Sequence, residues 1–407
     1  MISYQTIADK SYFCCLCFAI ITAIAAPIST VVTSIGCIAM LVTWLLSGKA
    51  LKTLKISYSQ PAGKMILVFF AWLLVGTLYA DNNWGDKLGT ISSWKKLAYT
   101  FILLGLFYQQ EWKQRFIKAY LFIMIPAAVA AVILWLLDIE IRDGARWGAG
   151  IFMSNYAAQS MAFIAATVLC IFLLKDATSR PKQYLFSIAI VLLVFNIFFV
   201  SSGRSGYFAL PFAVIFAIGN IYGYRKLPYI AVIVSVLLIA LVFSSNILQQ
   251  RVKKGVEELS HYQDSPHLSS IGIRAVFAKN TVALIKEKPI LGYGTSSFKS
   301  VYSPYAASLS QGWQATSTSD PHNIYLYIGL ENGIVGLLIF LGYIYIAIRQ
   351  GRQQPFYGMM AASFLVAICA SSLFNSHFKT FPEGHLLAFF TGILLAQYKK
   401  ETPLKIS

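Results

Sequence analysis

Apolar residues in this chain gather into long unbroken runs, not into the period-two alternation of strands or the single apolar stripe of surface helices. Runs of about 17–25 residues are long enough to cross the hydrocarbon of a bilayer as helices. They fall at roughly 11–28, 30–47, 64–80, 94–109, 116–137, 155–174, 184–201, 206–222, 227–245, 323–348, 356–374 and 384–398. The pattern predicts an all-α polytopic membrane protein of about twelve transmembrane helices. The gaps between runs are short except for 246–322, which reads as one large loop with its own short helices. Helical periodicity covers 245–262 and 270–288, the latter through Ile273, Val276, Phe277, Thr281, Leu284 and Ile285, and Pro289 stops it. A turn-rich break at Leu291-Gly-Tyr-Gly294 and a Ser/Thr-rich stretch at 314–320 lead into the next apolar run. The chain therefore divides into an N-terminal bundle of about nine helices at 1–245, the loop at 246–322, and about three helices with a short tail at 323–407. The first apolar run passes into the second without an A-x-A-like site, so it reads as an anchor and not as a cleaved signal.

Composition agrees with lipid as the solvent. Apolar residues make up 57% of the 407 and charged residues only 12%, against about 25% charged in soluble domains. The net charge of +17 would suit nucleic acid, but the charges punctuate the gaps and do not line one face, which excludes a nucleic-acid partner and sets topology. With the N-terminus in the cytoplasm, eighteen Lys and Arg fall in inner gaps, from Lys10 through Lys49, Lys113, Lys175, Arg225 and Arg349 to Lys405. Seven fall in short outer gaps: Lys87, Lys95, Lys96, Arg142, Arg146, Arg204 and Lys379. That bias predicts both termini inside and the long loop outside. The cysteines Cys14, Cys15, Cys17, Cys37, Cys170 and Cys369 lie within apolar runs and read as small buried residues.

Candidate chemistry then concentrates in the outer gaps. Ser201-Ser-Gly-Arg204-Ser-Gly206 is a polar hinge holding an arginine near membrane depth, where a charge is costly and implies an anionic partner, or else marks a snorkelling helix end. Gly203 and Gly206 would let backbone approach a ligand closely. Arg274 falls in the first turn of the loop helix, where by itself an exposed arginine ordinarily belongs to a solvated face. Asp320-Pro-His322-Asn323 precedes a spanning helix, with the polar pair His322 and Asn323 as its cap. A helix N-terminus attracts anions and keeps an imidazole neutral, as a general base requires. Glu331 follows nine residues on, about 13 Å deeper by the helical rise, and an acid there needs a partner. Arg142-Asp-Gly-Ala-Arg146-Trp-Gly is a basic Gly-rich gap, a headgroup site or a solvated turn. His261 and His267 occupy a polar linker, and His377 and His385 flank the last outer gap as interfacial residues. Neither a metal-binding HExxH nor a Walker lysine motif is present, so no cofactor is implied.

These residues resemble the O-antigen ligase family, within the wider group of O-antigen polymerases and O-linking oligosaccharyltransferases. The resemblance rests on His322-Asn323 with its fixed spacing to Gly333-x-x-Gly336, on the Ser-x-x-Arg204-x-Gly hinge, and on Arg274 ahead of Lys-Pro289 and Gly292-x-Gly294. It implies a GT-C-like glycosyltransferase of the Gram-negative inner membrane, with its active site on the periplasmic side. Such a protein moves a polysaccharide from undecaprenyl pyrophosphate to a sugar hydroxyl of lipid A-core, without metal or ATP. Carried over, Arg204 and Arg274 would bind the pyrophosphate, joined by Arg142, Arg146 and Asn323. His322 would activate or orient the acceptor hydroxyl in an inverting displacement, and Glu331, Gly333 and Gly336 would support it. An O-antigen polymerase joining lipid-linked repeats is the nearest alternative, and a transporter or flippase is the alternative from another class. The oligomeric state is not legible.

Overall fold

A computed structural model describes residues 4–142, 144, 148–201, 203–243, 249, 250, 253, 256, 257, 260, 269–309 and 312–397. The described residues form helices and turns without strands. In chain order the helices are α1 (Tyr4–Ala25), α2 (Thr30–Leu46), α3 (Ala50–Ser59), α4 (Pro61–Tyr79), α5 (Trp84–Ser93) and α6 (Lys95–Leu106). There follow α7 (Gln110–Leu136), α8 (Tyr156–Asp176), α9 (Arg180–Phe195), α10 (Arg204–Tyr222) and α11 (Leu227–Phe243). The last five are α12 (Ser270–Glu287), α13 (Phe298–Leu309), α14 (Ile324–Arg352), α15 (Tyr357–Ser371) and α16 (Phe381–Leu395).

Each of the twelve apolar runs is a helix. Seven of these helices are long and apolar enough to cross a membrane, or eight if α2 and α3, bent by 106° at their junction, form one span. The chain is thus a multi-pass membrane protein. α15 and α16, at 15 residues each, and α6, at 12, are too short to cross straight. Of the cysteines, Cys15, Cys37 and Cys170 are buried as expected, whereas Cys14 is exposed on the outer flank of α1.

The core is built on α8, whose residues from Ala158 to Cys170 are buried without interruption. α10, α9, α7, α15 and α16 pack around it. At one end of the bundle a glutamine knot ties three helix termini together. Gln350 Nε2 donates to Gln60 Oε1 and to the Leu395 carbonyl, both at 3.0 Å, while the Ala62 amide donates to Gln350 Oε1 at 3.0 Å. Such side-chain amides satisfy chain ends that lipid cannot solvate.

The opposite end carries the large loop, and there α14 is broken. Gly333 takes φ 62° and ψ −166°, leaving amides and carbonyls on either side without helical partners. The segment Pro289–Gly294 supplies them. The amides of Tyr293 and Gly294 donate to the Leu330 and Glu331 carbonyls at 3.0 and 2.7 Å, and the amides of Ile334 and Val335 donate to Pro289 and Ile290 at 2.8 and 3.3 Å. A Cβ on Gly333 would run into the Ile290 carbonyl, so both the backbone conformation and the close approach require glycine. The same segment is stitched to α4. Thr295 Oγ1 donates to the Leu73 carbonyl at 2.7 Å, its amide to the Gly76 carbonyl at 3.0 Å, and the Tyr79 hydroxyl to the Leu291 carbonyl at 2.8 Å.

Gly333→Ala is therefore expected to lower stability by about 1–3 kcal/mol, the cost of a strained backbone position, beyond any helix-propensity gain. Gly342→Ala, whose added Cβ meets only the flexible end of Met65 at 3.3 Å, should be neutral or slightly stabilising. Thermal midpoints of the two variants in the same detergent check this, and equal midpoints would mean the break is not rigid.

Candidate active site

The sequence Asp320-Pro-His-Asn builds a tight turn at the mouth of α14. Asp320 Oδ1 accepts from the His322 amide at 2.7 Å, the turn-forming bond that aspartate makes two residues ahead. It also accepts from Ser376 Oγ at 2.6 Å, while Oδ2 lies 3.9 Å from Lys379 Nζ. Thus braced, His322 adopts φ 55°, a left-handed conformation that a non-glycine residue holds only when its surroundings impose it. The helix cap is Asn323 alone and not the pair: its Oδ1 accepts from the Tyr325 and Leu326 amides, each at 3.0 Å. Its Nδ2 donates to the Leu373 carbonyl at 3.1 Å, so the side chain that lines the site is already committed at both ends.

The turn opens on a cavity of about 510 Å³. One wall is α12, through Ile271, Arg274, Ala275 and Ala278; another is the start of α10, through Ser205 and Phe208. Leu373, Phe374 and Asn375 after α15 close a third side, and Pro321, His322 and Asn323 the fourth. Arg274 and His322, separated by a turn of chain and by α13, therefore face one space. Arg274 sits in the second turn of α12, which begins at Ser270 behind the cap Ser269, and not in the first. Arg204 is the first residue of α10, one position before the cavity-lining Ser205.

The walls are chiefly hydrocarbon, with a guanidinium and an imidazole at one side. The His322 ring stacks near Phe277, at 6.2 Å between centroids and 23° between planes. The imidazole is exposed toward the cavity, yet the protein around it desolvates it enough to push its pKa below the ordinary value of 6.5. Asp320 opposes the shift and Arg274 adds to it. The shift favours the neutral ring, the form that can accept a proton.

The hinge of α10 is positioned by hydroxyls. Ser201 Oγ and Ser160 Oγ lie 2.7 Å apart, and the Tyr207 hydroxyl donates to the Ser201 carbonyl at 2.7 Å. Gly206 lies against Ser160 and Gly203 against the Tyr156 ring, so the close approach these glycines permit is to α8 and not to a ligand. α9 enters the hinge through a π-turn at Asn196–Val200, a device often found beside functional sites.

Other expectations fare differently. Arg142 donates through Nη1 to the Met153 carbonyl at 3.4 Å on the segment before α8 and does not line the cavity. Arg146, His261, His267 and most of the helix expected at 245–262 lie outside the described residues. His377 and His385 are buried inside the protein, at 2% and 1% exposure, and are not interfacial. Glu331 is buried without an ion pair among the described residues; its Oε1 accepts from the Phe298 amide at 3.3 Å. Gly336 is where α14 meets Trp72 of α4. Sequence reading passed over Asp320, Ser376, Lys379 and Phe277 as site residues. Only Asp320 carried a signal, its place two residues before a histidine.

Fold and cavity define a multi-pass membrane protein whose polar loops converge on a chiefly apolar cavity holding Arg274 and His322 at one end. Residues 188–341 match the family model described as O-Antigen ligase. The matched stretch runs from α9 into α14 and holds Arg204, Arg274, His322 and Gly333. A Haemophilus influenzae protein described as uncharacterized is 24% identical over 194 residues, covering 46% of this chain and 48% of the relative. The chain spans about half the length of that relative.

The electrostatic account has a direct check in the titration of the His322 ring, followed by NMR in histidine-labelled protein and assigned with His322→Ala. Arg274→Gln should raise its midpoint, because a repelling cation is removed, and Asp320→Asn should lower it. Unmoved midpoints would mean the two charges do not act on the ring.

Proposed function

We propose that the protein is an O-antigen ligase, transferring a polysaccharide from undecaprenyl pyrophosphate to a sugar hydroxyl of lipid A-core. The observation that carries this reading is the single cavity in which Arg274, neutral His322 and the N-terminus of the Arg204 helix meet beside apolar walls. A polyprenyl pyrophosphate needs that combination: hydrocarbon for the tail, and fixed cations for a diphosphate whose charge grows as the anomeric bond breaks. The orientation fits, with the loop end periplasmic, both termini cytoplasmic, and the inner membrane as the host.

In the proposed reaction the acceptor hydroxyl loses its proton to the His322 imidazole as its oxygen attacks the anomeric carbon. The bond to the pyrophosphate oxygen breaks, and Arg204 and Arg274 receive the charge of the departing undecaprenyl pyrophosphate. A single displacement of this kind inverts the anomeric centre. Asp320 is a positioning residue, holding His322 in its left-handed turn. The energy lies in the phosphoester bond of the donor, so the scheme calls for neither ATP nor a metal.

Purified protein mixed with the lipid-linked glycan and lipid A-core, with chelator and without ATP, should give a glycan ladder on lipid A. His322→Ala should fold and lose transfer by about 10²–10⁴-fold, the usual contribution of a general base. Arg204→Lys should fail despite its retained charge, because the bidentate fork is lost. Chains lengthening on the carrier lipid alone would make the protein an O-antigen polymerase and overturn the ligase assignment.

A further inference from the structure

A second cavity, of about 680 Å³, lies at the same end of the bundle, on the far side of the segment that carries His322. Ser317 and Ser319 line it, while Pro321, His322 and Asn323 line the first, so one segment of chain borders both. Aromatic rings in contact run along one side from one cavity to the other: His322, Phe277, Tyr302, Phe298 and Tyr327. On the other side, Asp320 and Lys379 connect them, with Lys379 Nζ 3.1 Å from the centre of the Tyr327 ring.

This second space is markedly more polar than the first. Its lining is rich in hydroxyl groups from α5, the 296–304 segment and the 317–319 segment, with Asp86, Lys299 and Lys379 as charges. Its deepest charged group is Glu331, 1% exposed. Glu331 Oε1 takes the Phe298 amide, but Oε2 has no hydrogen-bond partner. The Tyr327 hydroxyl and the Ser296 amide both approach the carboxylate within hydrogen-bonding range, yet neither closes a well-formed bond on Oε2. A buried carboxylate oxygen without a donor is costly and calls for a ligand that supplies one. A hydroxyl-rich ligand fits, since the walls offer many hydroxyl donors and acceptors beside apolar surface and the stacked Phe298 and Tyr327 rings.

We propose that this cavity is a carbohydrate subsite, in which a sugar hydroxyl donates to Glu331 Oε2 and the remaining hydroxyls pair with the Ser, Thr and Lys379 lining. The proposal rests on the glycosyl-transfer reading above and gives it a place for a sugar next to His322. It also gives Glu331 a direct role, as a ligand to sugar. The sugar belongs either to the acceptor or to the donor glycan, and the same chemistry would hold both.

Gly89 of α5 lines the cavity, and a Cβ there meets nothing within 4 Å. Gly89→Ala is accordingly a silent control, while Gly89→Trp puts a bulky ring at the cavity wall. Equilibrium dialysis of the full-length protein in nanodiscs would use two water-soluble probes: the oligosaccharide released from lipid A-core by mild acid, and the glycan released from its lipid carrier. One of the two should bind the native protein and Gly89→Ala alike. Its affinity should fall about tenfold or more in both Gly89→Trp and Glu331→Gln, as expected for a lost hydrogen bond to a charged group. Which probe responds assigns the sugar to acceptor or donor. Binding of neither probe, or equal binding to all four proteins, would overturn the proposal. Because binding requires no turnover, His322→Ala should bind the probe normally; intact binding with no transfer in any protein would sink the ligase reading and leave the subsite standing.

Discussion

Within a bilayer every backbone amide and carbonyl must find a protein partner, and the organisation of the loop end follows from how one helix meets that constraint. α14 is interrupted at Gly333, and Pro289–Gly294 is drawn into the gap to take up the freed groups. That pairing does more than repair a helix. It fixes the chain running from α12 to α13 against α14 and, through Thr295, against α4. The walls of both cavities hang from this suture: α12 with Arg274 on one side, and the 296–304 segment on the other.

The break also sets where polar chemistry can exist. Glu331 lies two residues before Gly333, where the helix is already departing from regularity and its carbonyl is bonded to Gly294 instead of continuing the ladder. A buried carboxylate is tolerated at such a point because neighbouring amides, here that of Phe298, turn toward it. Upstream, the turn at Asp320–Asn323 uses the same economy. One carboxylate holds the His322 amide, the Ser376 hydroxyl and the field of Lys379, and so links the start of α14 to the chain between α15 and α16.

These two devices separate the loop end into an apolar, cationic chamber and a polar, hydroxylated one. Substrates that are themselves divided, with a hydrocarbon carrier, a diphosphate and a sugar chain, suit that separation better than a uniform pocket would. The proposed inversion at the anomeric carbon asks only that the neutral imidazole stand at the junction, which is where a strained, left-handed residue in the segment bordering both chambers stands.

Lipid solvation made the helical class, the twelve apolar segments and the loop legible in the residues themselves, since a run of apolar side chains has no other solvent to choose. The same holds for the His322–Gly336 spacing, because a helix cap and a backbone position needing positive φ restrict residue type locally. Length within lipid was less legible: hydropathy marks α6, α15 and α16 but not that they stop after 12 or 15 residues. Only the tertiary structure decided that Arg274 and His322 share a cavity, that Arg142 does not, that Asn323 is spent on its cap, and that Gly203 and Gly206 pack against α8 instead of a ligand. Each of those depends on which helix lies beside which, and that is set by packing between residues far apart in the chain, of which local composition carries no trace.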